Sequence, residues 1–396
     1  MLPSSPPMRA QPLIGLLLLV GVLGCMATAP PVDPHVAARL AFEEGRLTQV
    51  IAHLQPLAEQ GSASVEEMHM LADAYMRRGD GSTALATLEA AQPLEDPTRE
   101  VGTLRKMGRA AALAGKYPLA VSLLRKTNSL EPEATSLRLL TRLLIDTGQI
   151  SLAMETGQEA IRMDLTHPEG FVLLATALAL DGMESQALTA ARRAEALLAT
   201  SPPVHFTMPE SLVALGNIHL VFDRLPAAIQ RYERAIQHAP SHVEAHQKLG
   251  LAKTLHGDSA GAVQTLQQAR KLAPDNIEVL NNLGVALSEL HLHKEAAEAY
   301  GEAHRLAPNA TVVVFNQADA LALDGRPLEA FNVLRSTDFP PDERARATEL
   351  ATRLEQIAAA AHAACTDTSP GASTERETPF SPLEDRILRA AIARCP

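Results

Sequence analysis

The apolar and small positions of this chain repeat over long distances. Three segments carry the pattern most clearly: "LVALGNIHLVFDRLPAAIQRYERAIQHAP", "HQKLGLAKTLHGDSAGAVQTLQQARKLAP" and "LNNLGVALSELHLHKEAAEAYGEAHRLAP". Leu215-Gly216, Leu249-Gly250 and Leu283-Gly284 recur every 34 residues, and so do Pro240, Pro274 and Pro308. A fixed period of this length marks a stack of supersecondary units, each burying a face on its neighbour. After residue 340 the pattern changes. "PPDERARATELATRLEQIAAAAHAAC" predicts one Ala-rich amphipathic helix, Asp342 to Ala364, and "PLEDRILRAAIARC" predicts a short amphipathic helix that needs a surface to pack on.

The repeats resemble the tetratricopeptide repeat (TPR), whose unit is a helix–turn–helix. On that resemblance the fold class is all-α: a TPR α-solenoid of about nine repeats with a C-terminal capping helix. The units begin near residues 31, 65, 101, 134, 168, 209, 243, 277 and 311. An alanine in the first turn of each second helix tracks the array as Ala84, Ala120, Ala153, Ala187, Ala228, Ala262, Ala296 and Ala330, with Val50 in its place in the first unit. Small side chains there let two antiparallel helices approach closely. Gly108, Gly216, Gly250 and Gly284 do the same on first helices, and Tyr75, Leu124, Tyr232, Leu266 and Tyr300 fill the space between. Glycines such as Gly79, Gly148 and Gly257 fall at the turns, where left-handed backbone is wanted. Met68, Leu104, Leu137, Phe171, Leu212, Leu280 and Val314 replace the family's first-helix Trp, and His246 is the poorest fit.

The array breaks its spacing once. "TSPPVHFTM", around 200–208, makes the step from Ala187 to Ala228 41 residues long. The chain then divides into a leader (1–24), a tether (25–34), repeat blocks at 35–200 and 209–340 separated by a loop at 201–208, a capping helix (341–365), a disordered linker (366–382) and a terminal helix (383–396). The loop reads either as a long connection in a continuous stack or as a flexible joint.

The N-terminus adds a location. Arg9 and the amino group precede an apolar run from Leu13 to Leu23, shorter than the roughly 20 residues that a membrane span needs. It ends in Val22-Leu23-Gly24-Cys25 and then "MATAPPVDP". This resembles the lipobox of bacterial lipoproteins, which implies cleavage before Cys25, lipid on its thiol and a Pro-rich tether. Met26, rather than Asp, leans towards the outer membrane, with the protein facing the periplasm. Two cysteines then remain, Cys365 and Cys395. An oxidising compartment lets them pair, which would fasten the terminal helix to the array and contribute at most about 3–4 kcal/mol on the chain-entropy model; the alternative is two unrelated free thiols.

The chain has 396 residues, 46% hydrophobic but only 3% aromatic with no Trp, so Ala and Leu supply the packing. A net charge of −11 argues against nucleic acid as partner. No phosphate-cradling glycine loop, His-Glu-x-x-His helix or Cys-x-x-Cys pair is present. His238, His242, His246, His291 and His293 read as surface groups at repeat junctions and turns. The chain therefore reads as a non-enzyme without catalytic residues, metal or cofactor.

What a helical array offers is the surface of its first helices. In the third and fourth units that surface carries Arg105, Arg109, Arg138 and Arg142. Guanidinium groups recognise carboxylates through paired hydrogen bonds. The four arginines are either a site for an acidic segment of a protein partner or a solvated face paired with neighbouring Glu and Asp. In some repeat arrays asparagines at such places hold the backbone of an extended peptide, so the resemblance implies Asn281, Asn282 and Asn316 as further, minor groove contacts. Lipoproteins of this design resemble assembly factors for type IV or tight-adherence pili and secretion channels, which implies a channel or pilus subunit as partner. Alternatives are a scaffold for polysaccharide or peptidoglycan enzymes, and an adaptor held by an uncleaved N-terminus.

Overall fold

The computed structural model describes residues 33–94, 100–200, 208–366 and 381–394. All regular structure among them is helical, and the helices come in consecutive pairs. Contacts divide the chain into two compact units, one ending at Glu131 and the other beginning at Pro132.

The first unit holds α1 (Pro34–Glu43) with α2 (Leu47–Glu59), α3 (Val65–Arg77) with α4 (Gly81–Ala91), and α5 (Glu100–Leu113) with α6 (Tyr117–Leu130). Each helix packs on the next. Helix α3 starts at a reciprocal cap: the Ser64 hydroxyl accepts from the Glu67 amide, and the Glu67 carboxylate accepts from Ser64 N–H. Glu67 is buried, and its second oxygen lies 2.8 Å from His35 Nδ1, which ties α1 to α3.

The second unit continues with α7 (Ala134–Asp146) and α8 (Ile150–Met163), α9 (Pro168–Leu180) and α10 (Glu184–Thr200), and α11 (Met208–Val221) and α12 (Leu225–His238). Then follow α13 (Val243–Leu255) and α14 (Ser259–Leu272), α15 (Ile277–Glu289) and α16 (His293–Leu306), α17 (Thr311–Leu323) and α18 (Pro327–Ser336), α19 (Pro341–Thr366) and α20 (Pro382–Ile392). First helices also touch the next first helix: α7 meets α9, α9 meets α11, α11 meets α13, α13 meets α15 and α15 meets α17. The second helices of successive pairs make no comparable contacts. The layer of first helices therefore lies on the shorter radius and forms the inner face of this unit.

Small residues set the helix separation. Every alanine of the series from Ala84 to Ala330, and Val50 in the first pair, is fully buried. A Cβ added to Gly216 would lie 2.4 Å from the Tyr232 ring, one on Gly250 2.4 Å from Leu266, and one on Gly284 2.5 Å from the Tyr300 ring. Tyr232 and Leu266 are themselves fully buried and have no room to yield. Burial pushes the Tyr300 hydroxyl up to about 12. The residues that replace the family's Trp are buried apart from the half-buried Phe171, whereas His246 is half-buried with its Nε2 2.9 Å from the Pro240 carbonyl.

The turn between the two helices of a pair carries one residue with positive φ. It is glycine in seven described pairs, but Asp223 (φ 54°) and His291 (φ 59°) occupy the place in the other two. His242 is the N-cap of α13, its Nδ1 accepting from the Ala245 amide. His293 is not in a turn but begins α16, and burial, with Arg386 and His291 close by, holds its imidazole below the ordinary range.

Residues 201–207 of the irregular loop lie outside the described residues, and the helices α10, α11 and α12 pack directly on one another. Leu215 and Ile218 of α11 share one apolar cluster with Ala187, Leu188 and Ala191 of α10. Arg231 of α12 forms a paired bond to Glu195 of α10, Nε–Oε1 at 2.7 Å and Nη2–Oε2 at 3.0 Å, and His219 Nε2 lies 3.8 Å from the same carboxylate. Burial pushes the Glu195 carboxyl up, but the bonds from His219 and Arg231 outweigh it and hold it at about 2.

The last pair is covered as the sequence predicts. Leu354 and Ile357 of α19 are buried against α18, and the Phe339 ring lies 5.1 Å from Phe315. Helix α20 finds its surface on α19 and α17 through Ile387 and Leu388. It lies so close over the turn after α17 that a Cβ on Gly325 would meet the Ala390 carbonyl at 2.5 Å. Arg394 pairs with Asp324, and Arg353 with Glu384 at 3.0 Å. Cys365 is disulfide-bonded; Cys395, most of the 366–382 linker, and the whole leader and tether through Cys25 up to residue 32 lie outside the described residues.

Two predictions follow from the packing. Gly250→Ala should lower stability by about 1–2 kcal/mol, because overpacking against Leu266 exceeds the helix-propensity gain. Gly102→Ala on α5, where an added Cβ meets nothing within 4 Å, should raise stability by up to about 1 kcal/mol. Urea denaturation midpoints check both. Because the Glu195 carboxyl is depressed in the folded chain, its contribution, about 2–3 kcal/mol, is present above pH ~4.5 and is lost as pH falls towards 2. The stability gap between the wild type and Glu195→Gln should be full at neutral pH and close across that window. A gap that does not change with pH would contradict the assignment.

Candidate binding face on the inner helices

The arginines singled out from the sequence lie on first helices and arrive there with partners. In the first unit, Arg105 Nη2 donates to the Glu131 carbonyl at 2.6 Å, and Arg109 is also engaged. In the second unit, Arg138 is buried, with Nη1 3.4 Å from Asp164 and Nε 3.4 Å from Glu169. Arg142 Nη2 lies 2.5 Å from the other oxygen of Glu169. An acidic ligand at Arg138 and Arg142 would have to displace that carboxylate. Asn316 Nδ2 donates to Asn281 Oδ1 at 3.1 Å, so these two asparagines brace α17 against α15, and Asn282 lies half-buried beside them.

The rest of the inner face of the second unit is set by helix register. Helices α9, α11, α13 and α15 each carry a glutamate in the first turn: Glu169, Glu210, Glu244 and Glu278. Eleven residues later, each helix ends on Leu180, Val221, Leu255 and Glu289 respectively. Eleven residues turn a helix by about three full revolutions, so both ends of each helix present the same face. Leu180, Val221 and Leu255 are 54%, 59% and 58% exposed, the opposite of what an isolated apolar side chain favours. Between the ends the face is half-buried and mixed: Thr176, Asn217, Lys248, Leu251 and Val285. Asn217 is held in place by the Tyr232 hydroxyl, which donates to its Oδ1 at 2.8 Å. At the α17 end, Arg346 of α19 lies 4.5 Å over the Phe315 ring and beside Asp319, whose carboxyl burial pushes up.

This apolar and acidic register was not singled out from the sequence. It repeats at the same steps as the alanine series, 41 residues and then 34, so reading each repeat position in turn would have revealed it. Among the described residues no group of three or more His, Cys, Asp or Glu side chains is placed to hold a metal ion. No described helix is long and apolar enough to cross a membrane.

Residues 213–277 and 256–311 match the family model for the tetratricopeptide repeat, which takes in most of α11 through α16. No curated protein matches the sequence. Among solved structures, a tetratricopeptide repeat protein from Parabacteroides merdae superposes with a TM-score of 0.51 at 14% identity, over 64% of this chain and 97% of that one. The Cut9–Hcn1 hetero-tetramer of APC/C superposes with a TM-score of 0.50 at 16% identity, over 80% of this chain and 59% of that one. The paired helices, the buried alanine series, the family match and these likenesses agree on one fold: the chain is an all-α tetratricopeptide-repeat solenoid.

Proposed function

We propose that this chain is a non-enzymatic protein–protein interaction scaffold, held in a bacterial envelope by lipid on Cys25, whose inner helices capture a segment of a partner. The observation that carries the reading is the row formed by Leu180, Val221 and Leu255, three aliphatic side chains left exposed in one register on the inner face. A stack of helical pairs gains nothing in stability from exposing them, while a partner segment lying along the row would bury all three. The anchor rests on the Val22-Leu23-Gly24-Cys25 sequence and the Pro-rich stretch after it. Two or more acyl chains hold a protein on a bilayer far more firmly than one. A scaffold fixed at the outer membrane and facing the periplasm suits assembly of a pilus or secretion channel, whose subunit would be the captured partner.

Affinity capture from envelope extracts of producing cells tests the scaffold. The wild-type chain should retain a partner that the Leu180→Glu/Val221→Glu/Leu255→Glu variant loses, with both proteins showing the same helical circular dichroism. The same partner retained by both would contradict the reading. The intact mass of the membrane-extracted protein tests the anchor. It should start at Cys25 with diacylglycerol attached, and Cys25→Ala should lose the lipid. A wild-type mass that keeps residues 1–24 without lipid would remove the envelope assignment.

A further inference from the structure

We propose that the inner face of the second unit docks a basic amphipathic helix of its partner, with aliphatic residues on the Leu180–Val221–Leu255 row and Lys or Arg side chains reaching the glutamates at the other end of the same helices. This rests on the scaffold reading above and adds the chemistry of the occupant.

The charge on the face comes first. Glu169 is already paired with Arg138 and Arg142. The next three glutamates are not satisfied in this way. The Glu210 side chain is 60% exposed, and among the described residues its ion-pair partner is His242, at 3.9 Å. Glu244 and Glu278 are exposed and make no hydrogen bond or ion pair among the described residues. Glu289, at the last-turn end of α15, stands in line with the apolar row and adds a carboxylate there, and Lys248, half-buried midway along α13, offsets one charge, so the face stays net acidic. A first-turn glutamate also favours the helix dipole. That gain is available on any side of the turn, and α7 and α17 do without it, so it does not account for four glutamates in one register.

Spacing selects the shape of the occupant. Neighbouring packed helices lie about 8–10 Å apart, so the three apolar residues span about 20 Å along the stack, the length of some 13 helical residues. The apolar row and the acidic row are separated along each inner helix by eleven residues, about 16 Å. An extended strand points its side chains alternately into the surface and away from it, and so cannot hold an apolar row and an acidic row that lie side by side. A helix about 10–12 Å across, lying along the apolar row, points one stripe down and the adjoining stripe sideways. Lysine or arginine on that second stripe covers the remaining distance.

The test uses two synthetic fluorescent peptides of about 14 residues, an amphipathic Leu/Lys helix and its Leu/Glu counterpart, titrated by anisotropy against the full chain. The Leu/Lys peptide should bind at least about tenfold more tightly than the Leu/Glu peptide, and its binding should weaken as salt rises. Glu210→Gln/Glu244→Gln/Glu278→Gln should weaken it about tenfold or more, whereas Glu159→Gln/Glu295→Gln/Glu298→Gln, on the second helices, should leave it unchanged. Equal loss in both variants, or no loss in the first, would overturn the proposal. If both peptides bind alike and both are lost with Leu180→Ser/Val221→Ser/Leu255→Ser, the basic partner is refuted while the scaffold reading stands. If neither peptide binds, the docked helix is refuted, and the scaffold reading is judged by envelope capture alone.

Discussion

The structure depends on how closely the two helices of each pair approach. One buried alanine in every second helix from α4 to α18, with glycine opposite a large side chain in several first helices, brings the two backbones together. Gly216 against Tyr232, Gly250 against Leu266 and Gly284 against Tyr300 are the same contact made three times. Because the contact recurs at a nearly fixed step, each pair adds to the last in the same way, and position in the repeat becomes position on a surface. The protein needs few aromatic residues because its core is built from short side chains at short range.

That regularity sets the inner face. First helices touch one another as well as their partners, which places them on the tighter side of the second unit. Along α9, α11, α13 and α15, residues there are half-buried in the middle of the helix and, Glu169 apart, exposed at both ends. The ends are where the sequence departs from simple solubility, with carboxylates at one end and aliphatic side chains at the other. The Glu195–Arg231 pair and the shared apolar cluster carry α10 into α12, so α9, α11 and α13 present one surface.

Much of the fold was legible in the sequence because close packing tolerates few residue types. Alanine at one place, glycine at another and proline after the second helix leave a visible period, and the nine predicted starts fall within three residues of the first helices. The turns were less legible: Asp223 and His291 adopt the conformation that glycine marks elsewhere, since backbone angle is not written in residue type alone. The terminal helix was visible as an amphipathic segment, but not its seat over Gly325, which depends on chain distant in sequence. The arginines were legible as first-helix residues. Pairing with neighbouring Glu and Asp was one of the two readings open, but the particular carboxylates were not legible, because Glu169 and Asp164 come from the next turn and helix of the stack, and spacing along the chain does not say which one a long side chain will reach. The exposed leucines and valine were hidden by being ordinary residues, informative only in register.

The central claim is that the inner face of the second unit is where a partner sits. The most direct measurement places a photo-crosslinking side chain at Val221, on that face, and in a second protein at Glu298, on the second-helix layer, and irradiates both in the producing cell. The account predicts a discrete adduct at Val221, mapped by mass spectrometry to a basic amphipathic segment of the partner, and none at Glu298. An adduct of equal yield at Glu298, or none at Val221, would contradict it.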